Sequence, residues 1–192
     1  MQENEKAKAA GEGTKARLRG AALCARRAMG EGERAKASGK ICLNLAESGL
    51  LPDEGIVLSF MAMPDEPDLA ALEGLLGKER LAYPRTFKDG RMEAVAEADG
   101  FSKGAFGIRE PVGGRTVRPE ELAAVIVPCA GFSGDGHRVG MGGGYYDRYL
   151  PEAKAAVKVI AAFSAQRIFK IEPEAHDVPA EYIVTEEGWF KA

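Results

Sequence analysis

Cysteine, histidine and tryptophan are all scarce here: three, two and one among 192 residues. Cys24, Cys42 and Cys129 are odd in number and lack metal-like spacing, which argues against a disulfide framework or a zinc cluster. Reduced, mostly buried thiols are expected instead. No apolar run approaches the roughly 20 residues of a membrane-spanning helix. Charge of one sign is also lacking. A net charge of −3 gives no reason to expect a nucleic acid or an anionic membrane as partner. Met1 to Gly13 has neither the apolar stretch of a secretory signal nor the acid-poor character of a transit peptide. Residues 1–13 read as a disordered lead-in, 14–192 as a single domain, and the location as cytoplasmic.

What is present is an ordinary globular balance, 45% apolar and 29% charged, enough to bury a core without staples. A helix is predicted from Thr14 to Met29, with Thr14 as its cap and Gly30 beyond its end. A second helix is predicted from Glu31 to Ser48, and a third from Asp65 to Leu76. Ile56–Met61, Leu122–Val127, Val157–Phe163 and Tyr182–Thr185 are apolar enough for strands buried on both faces. Arg80–Tyr83 reads as a short strand ended by Pro84, and Met92–Ala98 alternates as a half-exposed strand does. A short helix follows at Tyr145–Leu150. This alternation predicts a three-layer α/β/α fold with a mainly parallel central sheet, Rossmann-like in layout.

The most informative stretch is Gly140-Met141-Gly142-Gly143-Gly144-Tyr145-Tyr146-Asp147-Arg148, between a buried strand and a helix. Closely spaced glycines let backbone N–H groups converge on an anion, with phosphate the natural guest. The loop is neither a Walker A motif nor a dinucleotide fingerprint, and by glycine content alone a flexible turn reads equally well. Its company raises the signal. Arg138 precedes it and can grip phosphate in forked geometry. Asp147, in the first helical turn, is either a dipole-favoured acid or a metal ligand.

Thr14–Met29 carries Lys15, Arg17, Arg19, Arg26 and Arg27 and no acid. Lys15 and Arg19 share a helix face, which suits either a solvated basic surface or an anionic partner such as a triphosphate. In Met61-Ala62-Met63-Pro64-Asp65-Glu66, the acids are either a cap and a first-turn acid or a grip for the donor groups of a pterin-like ring. Phe60 and Met61 are core residues by default.

Together these segments resemble the 5-formyltetrahydrofolate cyclo-ligase family, also called 5,10-methenyltetrahydrofolate synthetases. The resemblance runs from Lys15 to Thr185. Its markers are Lys15-Ala-Arg-Leu-Arg19, Met63-Pro-Asp-Glu66, Tyr83-Pro-Arg85, Phe106-Gly-Ile-Arg-Glu-Pro111, Val127-Pro128, Arg138 through Tyr149, His176-Asp177 and Tyr182-Ile-Val-Thr185. It implies ATP bound by Lys15, Ala16, Arg17, Leu18 and Arg19, by Arg85, and by Arg138, Val139, Gly140, Met141, Gly142, Gly143, Gly144, Tyr145 and Tyr146. It implies folate contacts from Met61, Glu66, Tyr83 and the loop Met141–Tyr145, and magnesium (Mg2+) held by Asp147 and Asp177. Arg138, Tyr145 and Asp147 would act closest to the chemistry. Two positions depart from the family pattern: Met141, where members often carry Arg or Tyr, and Ser133, where Asp is common. Asp135 either compensates for the latter or is a turn residue.

The implied activity is ATP-dependent closure of 5-formyltetrahydrofolate to 5,10-methenyltetrahydrofolate, by a monomer or weak homodimer. Two rivals stand beside it. A sugar-phosphate isomerase or acyl-CoA-type transferase on a similar fold would not need ATP. A non-catalytic folate- or nucleotide-binding relative would bind both ligands without turnover.

Overall fold

The computed structural model describes residues 2–104 and 107–192, with side chains from Thr14 onward. Its centre is an eight-stranded sheet. Five strands run parallel in the order β11 (Tyr182–Thr185), β10 (Val157–Ala161), β7 (Leu122–Val127), β1 (Ile56–Leu58) and β2 (Leu81–Thr86). Antiparallel strands complete both sides: β12 (Gly188–Lys191) beside β11, then β3 (Met92–Ala96) and β6 (Arg115–Val117) beyond β2. The expected α/β fold with a mainly parallel sheet is present.

Burial explains the order. The middle strands β7 and β10 are almost wholly buried, as their predominantly aliphatic runs require, with Lys158 the one charged residue of β10. On one face, α2 (Glu31–Glu47) presents Ile41, Cys42 and Leu45 to Val57, Ile126, Val159 and Val184, with α3 (Leu72–Leu76) alongside. The other face carries α4 (Tyr145–Tyr149) and the turns after it, through Tyr149, Leu150, Ala153 and Ala156. That second layer is thin. α1 (Gln2–Ala28) lies to one side, its Leu18 and Leu23 packed against Ala130, Val139 and Ile171.

Several predicted boundaries move. The first helix begins at Gln2, so Thr14 is interior rather than a cap, and Gly30 is the N-cap of α2. The lead-in expected over residues 1–13 has no described side chains. The helix expected from Asp65 shrinks to Leu72–Leu76. Pro67 disfavours helix at Glu66, while the Glu66 N–H turns back to Met63 O at 2.9 Å and the Asp68 N–H donates to Ser38 Oγ at 3.0 Å. β2 does not stop at Pro84. Its pairing with β1 ends at Leu58–Ala82, so no strand on that flank needs the missing proline N–H. Two small hairpins went unforeseen: β4 (Gly100–Lys103) with β5 (Arg109–Val112), and β8 (Gly131–Phe132) with β9 (Arg138–Val139).

The chain steps from β1 outward to β2, but from β7 it steps the other way, to β10 and β11. The direction reverses between neighbours β1 and β7. Ligands of open α/β sheets bind beyond the carboxyl ends of the strands at such a reversal. Ser59–Glu66 and Pro128–Gly144 leave those two ends.

Candidate active site

The glycine loop hangs from the β8–β9 hairpin and enters α4. Gly142 and Gly144 hold φ of +98° and +64°, conformations that L side chains rarely adopt. The loop is pinned on both flanks. From α1, Arg19 Nε donates to Gly140 O at 2.6 Å. From the opposite side, Arg148 bridges Gly143 O at 2.7 Å and Gly90 O at 3.0 Å, and Tyr145 donates its hydroxyl to Phe87 O at 3.2 Å. Met141, Gly142 and Gly143 between these anchors are exposed. α4 has only five residues, so its dipole adds little, and any anion grip rests on the loop's own N–H groups.

Around the loop, cations and acids alternate. Lys15 Nζ lies 2.7 Å from Asp177 Oδ2 and 3.3 Å from Glu174 Oε2. Burial alone would push the Asp177 carboxyl up, but the Glu174 N–H and the Lys15 ammonium outweigh it and hold it below the usual carboxylate range. Arg138, buried, reaches Val178 O at 2.7 Å with one arm and pairs with Asp147 through the other. Arg138 therefore stands between Asp147 and the chain segment of Asp177. Ligand atoms of Glu174, His176 and Asp177 all lie within 4.8 Å of one another.

At the end of β1, Glu66 is buried, accepting the Met63 N–H at 3.0 Å and facing Arg26 Nη1 at 3.4 Å. Burial pushes its carboxyl above the ordinary range, against the Met63 N–H and the Arg26 charge. Met61 is half-buried and packs on the core. The Tyr146 hydroxyl is buried with no hydrogen-bond partner among the described residues, and burial raises its pKa.

A model of the 5-formyltetrahydrofolate cyclo-ligase family matches residues 12–186. The chain belongs to that family. It is similar to the 5-formyltetrahydrofolate cyclo-ligase of Haemophilus influenzae, 38% identical over 78 residues that make up 38% of this chain and 42% of the relative. The enzyme of the same name from Mycolicibacterium smegmatis is 34% identical over 85 residues, 42% of this chain and 43% of its own. These matched stretches span less than half of each curated relative. Among solved structures, the 5,10-methenyltetrahydrofolate synthetase of Aquifex aeolicus superposes with a TM-score of 0.81 at 32% identity, covering 92% of both chains. The Mycoplasma pneumoniae synthetase shares the fold at a TM-score of 0.73 and 21% identity, covering 90% of this chain and 98% of its own.

Against the residues that the cyclo-ligase resemblance implied, the geometry gathers Lys15, Arg19, Arg138, the glycine loop, Tyr145, Asp147 and Asp177. Leu18 faces the core, while Ala16 and Arg17 are exposed. Arg85 is engaged in a cross-strand pair with Glu93 at 3.0 Å. Tyr83 is buried, its hydroxyl donating to Glu73 at 3.0 Å and its ring edge-on to Phe101 at 5.4 Å. Phe106 lies outside the described residues. Ser133 bonds to Asp135 within the β8–β9 turn, which makes Asp135 a turn residue. Sequence reasoning assigned no role to Arg148 or to the Phe87–Gly90 turn. It also left Arg26 without one, although Lys15, Arg19, Ala22 and Arg26 fall on one helical stripe and that stripe faces inward.

Proposed function

We propose that the chain uses ATP to close 5-formyltetrahydrofolate to 5,10-methenyltetrahydrofolate, releasing ADP and phosphate. The observation that carries this reading is the seating of the basic helix α1 on the glycine loop, Arg19 on Gly140 at 2.6 Å, beyond the carboxyl ends of β1 and β7. Two segments 121 residues apart thereby form one cationic, N–H-rich surface suited to a triphosphate. Glu66 stands at the end of β1, where a carboxylate can accept the paired N–H donors of a pterin ring.

Lys15 and Arg138 are each already paired with an acid, Asp177 and Asp147 respectively. Lys15 and Arg138 would turn to the phosphate oxygens of a bound triphosphate, which would free Asp177 and Asp147 for its magnesium. Hard oxygen donors fit magnesium, and Asp147 and Asp177 would hold it. When bound, it neutralises charge on the transferring phosphoryl group. His176 is a poor match for this ion and is not assigned to it.

The formyl oxygen on N5 attacks the γ-phosphorus and the bond to ADP breaks. N10 then adds to the activated formyl carbon, losing its proton, and the carbon–oxygen bond breaks as phosphate leaves. Side chains supply position and charge rather than a nucleophile. Tyr145, tied to Phe87, keeps the loop's exit fixed, and Arg138 faces the phosphoryl group. The setting is a cytoplasmic monomer or weak dimer with no nucleic-acid or membrane partner. No helix among the described residues is long and apolar enough to cross a membrane.

The test is near-ultraviolet absorbance of protein mixed with 5-formyltetrahydrofolate, ATP and magnesium. Ring closure extends conjugation, so a longer-wavelength band that requires all three components is expected. A flat trace with both ligands bound would move the reading to a non-catalytic relative.

A further inference from the structure

Arg26 is a fully buried arginine on the inward stripe of α1, two helical turns beyond Arg19. Its Nη2 lies 2.9 Å from Asp65 Oδ1 and its Nη1 3.4 Å from Glu66 Oε1, while Nε has no partner among the described residues. Buried ion pairs contribute weakly to stability, since desolvation offsets most of the attraction. Retaining one with a long second contact and an orphaned nitrogen asks for a further reason.

Glu66 supplies it. Each of its oxygens meets one donor, Met63 N–H on Oε2 and Arg26 on Oε1, although a carboxylate has about four acceptor positions. Buried acceptor capacity is seldom left unused. Four titratable groups act on or feel the Glu66 charge: Arg26 from α1, Asp65 beside it, Cys129 beyond β7 and Tyr146 from α4. Burial pushes the Cys129 thiol up to about 12 and the Tyr146 phenol higher, so both stay neutral. Burial leaves the Glu66 carboxyl raised; the Met63 N–H and the Arg26 charge oppose that rise, and Asp65 adds to it.

Resting on the folate reading of Glu66, we propose that Arg26 is a positioning residue. It orients the Glu66 carboxylate toward the donor edge of the pterin ring. It does so from the helix that carries Lys15 and Arg19, so the folate grip and the phosphate contacts share one rigid element.

The test compares Arg26→Met, Arg26→Lys, Asp65→Asn and Glu66→Gln, each checked for folding by circular dichroism. Rates are followed against folate and against ATP from pH 5 to 9. Arg26→Met is expected to raise the folate KM about tenfold, the loss of one charge-supported hydrogen bond. It should leave the ATP KM little changed and move the acid limb of kcat/KM for folate to higher pH. Arg26→Lys should recover much of the loss, and Asp65→Asn should leave the folate KM near its starting value. A folded Arg26→Met with unaltered folate KM and acid limb overturns the proposal. So does an Asp65→Asn that reproduces the Arg26→Met behaviour, because Arg26 would then only anchor the helix. If Arg26→Met does not fold, the lysine and Asp65 variants decide by the same criteria. Glu66→Gln with unchanged folate binding would remove the underlying reading as well. Weakened binding there beside a silent Arg26→Met removes Arg26 alone.

Discussion

Arg138 concentrates the chemistry assigned to single side chains. It is buried, fixed by Val178 O, and presents its other arm to Asp147. A planar guanidinium fork matches carboxylate and phosphate alike, which the point charge of a lysine does not. Arg138→Ala is therefore expected to raise the apparent KM for ATP by roughly tenfold or more, the scale of a charge-assisted hydrogen bond, with the folate KM nearly unchanged. Steady-state kinetics at saturating folate checks this, and an unaltered ATP KM would contradict the phosphate role. Lys15 follows the same logic more loosely, as a point charge balanced by Asp177 and Glu174.

Helices and loops set where these groups stand. The glycine loop is held by contacts of opposite origin, α1 through Arg19 and the β2–β3 turn through Arg148 and Tyr145. Arg148→Ala removes two of those bonds and touches neither Arg138 nor Asp147 directly. Faster amide exchange across Gly142–Gly144, with a higher ATP KM, is the expected outcome, read by hydrogen-exchange mass spectrometry. Unchanged exchange would mean that the remaining anchors suffice.

α1 is anchored by Arg26 and Arg27 on Asp65. Burial would raise the Asp65 carboxyl, but Arg27 and Arg26 outweigh it and hold it below its ordinary range. A depressed folded-state pKa means stability that is fully present above the unfolded value, about 3.9, and lost as pH falls through the folded one. Urea midpoints should therefore drop between pH 5 and pH 3 by more in the parent than in Asp65→Asn. Equal drops would show that Asp65 does not carry this linkage.

Across the whole molecule, the parts legible in the sequence were those dominated by burial. Tyr182–Thr185 and Leu122–Val127 are strands at their predicted boundaries, because runs buried on both faces leave no other pattern. The glycine loop was legible because positive φ angles demand glycine. The short hairpins escaped: two-residue strands such as β8 and β9 carry no periodicity. The length of α3 escaped because Pro67 and the local Met63–Glu66 turn hold the chain out of helix there, while Ser38 of α2 takes the Asp68 N–H. In the site, the family pattern named the residues around the loop. The Arg26–Glu66 contact and the Arg148 bridge join segments far apart in the chain, and only the folded geometry brings them together.

In the proposed reaction the formyl oxygen becomes the phosphoryl acceptor. Substrate labelled with oxygen-18 at the formyl group, turned over once with ATP and magnesium, tests it by phosphorus NMR of the products. One labelled oxygen in the released phosphate is expected for each methenyl bridge formed. Unlabelled phosphate, with ring closure still taking place, would contradict it.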